Sequence, residues 1–173
     1  MTKRINEMTA NLISKYGLET ISLRYFNTYE VGENSKGDYS SVIWKFIDAI
    51  RNNKKQTIFG DGKQSREFIY AEDSTRAFVL AMKNGTSGEA YNVGTGRTID
   101  FNTIFQIIKE EMGYLGAAEY VSNPVNSYQM FTLADVKKAK EELKFEAKYT
   151  VMDGVKKIVK ETSETTGKNS KST

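Results

Sequence analysis

An α/β fold is predicted by two patterns in the sequence. Short β-branched and aromatic runs, such as residues 20 to 26 and 91 to 93, alternate with segments of helical periodicity, such as residues 3 to 16 and 101 to 112. Turn signals separate them: Asn84-Gly85 closes one helical segment, Gly113 another, and Gly60-Asp61-Gly62 joins two strand-like runs. No internal repeat is visible.

The composition narrows the chemistry. At 173 residues, 39% hydrophobic and 12% aromatic, the chain can bury a real core. It has neither cysteine nor histidine, which excludes disulfides, thiol nucleophiles, zinc fingers and the commonest general base. Acid/base work would fall to Tyr, Lys, Asp or Glu. No apolar run approaches the roughly 20 residues of a membrane span, and a charged amphipathic segment follows Met1, so a soluble, cytoplasmic protein without membrane contact is expected. The net charge of +3 is concentrated at the C-terminal end, where residues 137 to 173 hold ten lysines and six acids. The remainder has no basic stripe, so nucleic acid is not an expected partner.

The elements follow in order. Ile5, Met8, Leu12, Ile13 and Tyr16 share a helix face that Gly17 ends. Residues 20 to 26 read as a strand, and 30 to 39 as a polar loop. Ser40 or Ser41 caps a helix with Ile43, Phe46, Ile47 and Ile50 on one side. Strands at 57 to 59 and 65 to 70 flank the glycine turn, a helix covers 73 to 83, and a short strand at 91 to 93 runs into Gly94-Thr95-Gly96. Asp100 caps a helix carrying Ile104, Ile107 and Ile108. Residues 119 to 122 read as a strand, followed from Pro124 to Thr132 by an extended piece. Helices are expected near 135 to 143 and 152 to 160. The domain then spans residues 1–160, and 161–173, polar and poor in apolar residues, forms a disordered tail.

Everything is arranged around residues 57 to 73. The glycines allow positive φ and a close backbone approach, and Arg66 stands beside them, so a nucleotide diphosphate would suit the turn. On these residues alone, an ordinary hairpin whose arginine pairs with a surface acid is the better account. Gly94-Thr95-Gly96 lacks the third glycine of a dinucleotide fingerprint, since Ile99 stands there, and Ser122 rather than an acid closes the next strand. That fingerprint is rejected, and no Gly-Lys-Ser or Gly-Lys-Thr phosphate loop is present.

Taken together, Leu23-Arg24-Tyr25-Phe26-Asn27-Thr28-Tyr29, Phe59-Gly60-Asp61-Gly62, Arg66-Glu67-Phe68-Ile69-Tyr70, Asp73, Tyr91-Asn92-Val93-Gly94-Thr95-Gly96 and Ala134-Asp135 fall in the order and spacing of another pattern. The chain resembles the extended short-chain dehydrogenase/reductases, and within them the NAD-dependent nucleotide-sugar epimerases and dehydratases of the UDP-glucose 4-epimerase type. The resemblance covers residues 1 to about 160 and implies the C-terminal, substrate-binding part of a Rossmann-like fold without its N-terminal NAD-binding half.

Position by position, the resemblance makes Lys3 the lysine of the family's catalytic pair, which also holds the nicotinamide ribose. The tyrosine of that pair would lie before Met1. Phe26 matches a residue beside the nicotinamide, Asn27 and Arg66 match diphosphate ligands, and Thr57, Ile58 and Phe59 match the segment along the base. A core residue (Phe26), a strand-end turn former (Asn27) and a surface lysine (Lys3) are the plain structural alternatives. Two departures bear on the branch: Glu30-Val31 replaces the usual Gly-Pro, and residues 127 to 132 lack the arginine and aspartate of the 4-epimerase type. That segment and residues 33 to 37 are similar to the ADP-heptose 6-epimerases, which makes Lys36 a second acid/base and Tyr128 a substrate contact.

The resemblance thus implies an isomerase fragment that binds the diphosphate of a UDP- or ADP-sugar, uses NAD in the complete family, and is inactive without an NAD-binding half. Partners expected from it are a second copy, through a first-helix homodimer, or a separately encoded NAD-binding half. The alternative is a non-catalytic oligomerisation or scaffold module. No metal ligand set is expected.

Overall fold

A computed structural model describes residues 2–124 and 128–169, the side chains from 164 onward excepted. Helix α1 (Thr2–Ser14) opens the chain, and although its apolar residues repeat at helical spacing none of them is buried. It is tied to the body by polar contacts instead. Arg24 grips the Glu7 carboxylate with two bonds of 2.8 and 2.7 Å, Asn11 Nδ2 donates to the Gly88 carbonyl at 3.0 Å, and Thr20 Oγ1 to that of Ala10 at 2.8 Å.

The strand expected at 20 to 26 is two strands. Ser22–Tyr25 (β1) pairs in parallel with Ala90–Val93 (β5), and Asn27–Tyr29 (β2) pairs in parallel with Ser65–Tyr70 (β4). The chain changes partner at Phe26, whose N–H still donates to the Val93 carbonyl at 3.1 Å. The loop expected at 30 to 39 contains a 3-10 segment, Glu33–Tyr39, kinked at Gly37, before helix α2 (Val42–Arg51) begins under a Ser41 cap that accepts the Trp44 N–H.

The Gly60-Gly62 turn does not make a hairpin. Thr57–Phe59 (β3) pairs in parallel with Glu119–Val121 (β7), while β4 has β2 on one edge and the antiparallel Thr98–Asp100 (β6) on the other. With both edges of β4 taken, the turn, at φ 67° for Gly60 and 75° for Gly62, hands the chain from one sheet to the next. Helix α3 (Ala71–Asn84) follows β4, and α4 (Phe101–Glu111) starts at Asp100, whose carboxylate accepts the Thr103 N–H at 2.9 Å.

The helix expected at 135 to 143 is present from 137 to 143 and widens into a π-type turn over Ala139–Leu143, stopped by Lys144 at φ 58°. The last helix, α5 (Val151–Asn169), continues past Glu161, where a disordered tail is expected from composition. Thr162 is buried there and donates to the Ile158 carbonyl at 2.7 Å. The part of the expected tail from 170 to 173 lies outside the described residues, as does Ser127.

Two cores result. The larger is built by α2, α4 and α5 over β2 to β4, and the smaller by α3, β5 and the wide turn around Ile69, Tyr91 and Phe145. No helix among the described residues is long and apolar enough to cross a membrane.

Candidate functional site

The site is set by the register of β2 on β4. Asn27 lies opposite Phe68, and its side-chain amide donates to the Glu67 carbonyl at 2.7 Å. Alternation along β4 puts Arg66 and Phe68 on one face. Arg66, Phe68, Asn27 and Thr28 therefore line one cavity of about 300 Å³, together with Phe101 and Tyr128. Its remaining wall comes from Tyr39, Ser40, Ser41 and Val42, where the 3-10 segment passes into α2.

Arg66 is held in place on two sides. Its Nη1 donates to the Ser65 carbonyl at 2.9 Å, its Nη2 donates to the Gln129 carbonyl, and its guanidinium lies 5.2 Å from the centroid of the Tyr128 ring. The wall is fixed by Glu33, which is 2% exposed. Its carboxylate accepts the Glu30 N–H at 3.0 Å, the Ser41 N–H at 2.8 Å and the Ser41 hydroxyl at 2.9 Å. The lining contains a permanent cation, an amide, hydroxyls and aromatic rings but no carboxylate, a set that neutralises and orients an anion.

Of the residues expected from the sequence, Asn27, Arg66 and Tyr128 line one cavity. The other expected residues do not join them. Lys3 stands exposed on α1, Phe26 is half-buried where β1 passes into β2, and Lys36 pairs with Glu33 at 3.4 Å. Thr57 and Phe59 are exposed on β3, outside the cavity lining. Ile58 requires a correction: its side chain is 1% exposed and sits in the larger core, so it offers no side-chain contact to a base. Thr28 and Tyr39 to Val42 are lining residues the sequence reading missed. The Ser41 cap was the available signal, since it starts α2 at the cavity rim.

The Gly94-Thr95-Gly96 turn has a tenant of its own. The Glu67 carboxylate, fully buried, accepts the N–H groups of Thr95, Gly96 (2.8 Å) and Ala134 (2.5 Å). A Cβ on Gly94 would collide with that carboxylate. The turn is therefore a structural anion nest. A wider concavity of about 1030 Å³ lies beside α1, lined by Ile5, Met8, Leu12 and the Arg24–Glu7 pair; it holds no diphosphate ligand expected from the sequence. Arg24 holds the Glu7 carboxyl below the usual range by hydrogen bonding. Among the described residues, no group of three or more acids stands together to bind a metal ion.

Comparison with known proteins gives the family. The family model described as NAD dependent epimerase/dehydratase family matches residues 2–94. A putative UDP-glucose 4-epimerase of Methanocaldococcus jannaschii is 35% identical over 160 residues, 92% of this chain and 51% of that protein. An ADP-L-glycero-D-manno-heptose-6-epimerase of Alkalilimnicola ehrlichii is 31% identical over 127 residues, 68% of this chain and 39% of its own length. The UDP-glucose 4-epimerase of Thermotoga maritima, solved with UDP-glucose, superposes with a TM-score of 0.85 at 32% identity, covering 92% of this chain and 51% of that one. The chain spans about half the length of this putative 4-epimerase and 39% of that heptose epimerase. With the family model covering more than half of its residues, the chain belongs to the NAD dependent epimerase/dehydratase family.

Proposed function

We propose that residues 1–160 form the substrate side of a nucleotide-sugar epimerase and bind the diphosphate of a UDP- or ADP-sugar. The observation that carries this is the convergence of Asn27 and Arg66, from neighbouring strands, on one cavity without carboxylates. Arg66 supplies the fixed positive fork, Asn27 an amide donor, and Tyr128 the aromatic backing of the guanidinium. The relatives named above include both UDP-sugar and ADP-heptose enzymes, so either base is admitted.

NAD, when bound in the family, accepts and returns the hydride. From these residues it would meet Lys3 and Phe26 only. The Thr95 and Gly96 N–H groups are engaged by Glu67, so this turn does not fit a dinucleotide diphosphate. NAD binding and turnover then belong to a pairing of this chain's residues with an NAD-binding half, in which Lys3 serves the cofactor and Lys36 is a second acid/base. The exposed face of α1 supports self-association or cover by such a half.

The test is an amide NMR titration of the chain with UDP, ADP and NAD, with Arg66→Ala alongside. Saturable shifts with UDP or ADP that disappear in the variant are expected; a flat response to both nucleotides in the wild type overturns the proposal.

A further inference from the structure

We infer a second ligand site, for a phosphate monoester of a small apolar alcohol, where the turn at residues 95–97 meets the stretch at 144–152. Two cavities adjoin there, with Thr95 and Arg97 in the lining of both. The inner one, about 350 Å³, has apolar walls from Phe68, Ile99, Ile107, Tyr149 and Met152. The outer one, about 610 Å³, is lined by four cations, Arg76, Arg97, Lys144 and Lys148, and one acid, Glu146. The inner cavity is not the Asn27–Arg66 cavity: among the described residues Phe68 alone lines both, and no diphosphate ligand is shared.

Buried carboxylates place two of these cations without neutralising them. The Thr95 N–H is held by buried Glu67, and Thr95 Oγ1 in turn bonds the Arg97 N–H and carbonyl, both at 3.2 Å. Buried Asp73 accepts the Lys148 N–H at 2.8 Å and pairs with Arg76 at 2.6 Å. The backbone under Arg97 and Lys148 is therefore fixed. Among the described residues, neither the Arg97 guanidinium nor the Lys148 ammonium makes a hydrogen bond or ion pair. The acids nearby are engaged elsewhere: Glu146 bonds Lys140 at 3.2 Å, and Asp153, which the Arg97 charge reaches, bonds the Thr150 hydroxyl at 2.6 Å. Two unpaired cations match the charge of about −1.5 to −2 on a phosphate monoester at neutral pH, where a carboxylate would satisfy only one. Lysines and arginines alone would attract any anion. The apolar chamber behind Arg97 adds the second requirement, a ring or short chain on the phosphate.

The test titrates the full chain with phenyl phosphate, inorganic phosphate and benzyl alcohol, read by amide NMR, with Arg97→Ala, Lys148→Ala, Met152→Ser and Arg66→Ala alongside. Phenyl phosphate should shift the amides of residues 95–99 and 148–152 saturably, with a Kd on the order of 1 mM. Inorganic phosphate and benzyl alcohol, each lacking one half of the ligand, should bind at least about tenfold more weakly. Arg97→Ala and Lys148→Ala should each raise the phenyl phosphate Kd about threefold to tenfold, an effect that shrinks in high salt. Met152→Ser should weaken phenyl phosphate and leave inorganic phosphate unchanged. Arg66→Ala should leave the shifts at both segments in place. Their loss in Arg66→Ala puts the ligand in the Asn27–Arg66 cavity and overturns the assignment. Inorganic phosphate binding as tightly as phenyl phosphate overturns it as well, being the mark of a bare charged surface, and so does equal affinity for benzyl alcohol. A wild type that binds UDP but shows no saturable shift at residues 95–99 and 148–152 removes this site and leaves the diphosphate site standing.

Discussion

The Glu67 carboxylate accepts the backbone N–H of Gly96 at 2.8 Å across the junction between β4 and the turn after β5. Through Thr95 and Ala134 the same carboxylate ties two further chain segments, the 94–96 turn and the stretch at Ala134, to the strand that carries Arg66. Its removal as Glu67→Ala leaves three N–H groups without the buried acceptor they share. The expected loss is about 3–5 kcal/mol of stability, read by urea unfolding. Glu67→Gln keeps the shape but turns an amide donor toward N–H groups, and should cost about 1–3 kcal/mol. A Glu67→Ala protein within about 1 kcal/mol of wild type would show that the nest is filled by something else.

Tyr29 and Gly154 give a second prediction. Tyr29 is 1% exposed and wedged between Phe68 and Tyr70, with ring centroids at 6.3 and 5.6 Å. A Cβ on Gly154 would run into its hydroxyl and ring edge. In a free helix Gly→Ala gains up to about 1 kcal/mol, but forcing a methyl into packed aromatic space costs about 1–3 kcal/mol. The ring has nowhere to swing, so Gly154→Ala should be net destabilising. Tyr29→Phe combined with it should recover part of the loss in the same denaturation experiment.

How much of this was legible in sequence depends on the range of the interaction concerned. The Ser41 and Asp100 caps and the bounds of β3 follow from local residue chemistry and appear where expected. Strand partners do not, because pairing is decided by segments far along the chain: β3 finds β7 and β4 finds β2, so the hairpin expected across Gly60-Gly62 is absent. β6 is three residues long and leaves almost no periodicity to read. In the site, Asn27, Arg66 and Tyr128 were accessible through motif resemblance. Tyr39 was not, since it lies in a polar run whose order comes from the burial of Glu33, a charged residue that composition assigns to the surface.

Acid should weaken the fold through specific carboxylates. Asp153 is held below the usual range by hydrogen bonds from Thr150, side chain first and then backbone, and Glu7 by its bond from Arg24. A folded-state pKa below the unfolded value means the contribution is present above about pH 4 and is lost as pH falls through the lowered value. Thermal unfolding between pH 7 and pH 3 should therefore show wild type losing more stability than Asp153→Asn or Glu7→Gln. The variants start lower at pH 7 and converge with wild type in acid. Parallel profiles for all three would remove these two groups from the acid response.

The last prediction concerns α1. Ile5, Met8 and Leu12 are 52%, 64% and 54% exposed on one face of a helix that buries nothing, beside a concavity of about 1030 Å³. An apolar stripe of this kind loses water-exposed area most cheaply by meeting a copy of itself across a two-fold axis, since each helix then covers the other's stripe. The chain alone should sediment as a mixture of monomer and dimer that shifts with concentration. Met8→Lys and Leu12→Lys should each drive it to monomer. Because neither residue contributes to a buried core, their melting temperatures, measured at dilutions where wild type is monomeric, should stay close to wild type. A wild type that remains monomeric at every concentration would instead leave this face to a different chain, and a lysine variant that dimerises as well as wild type would place the contact elsewhere on the surface.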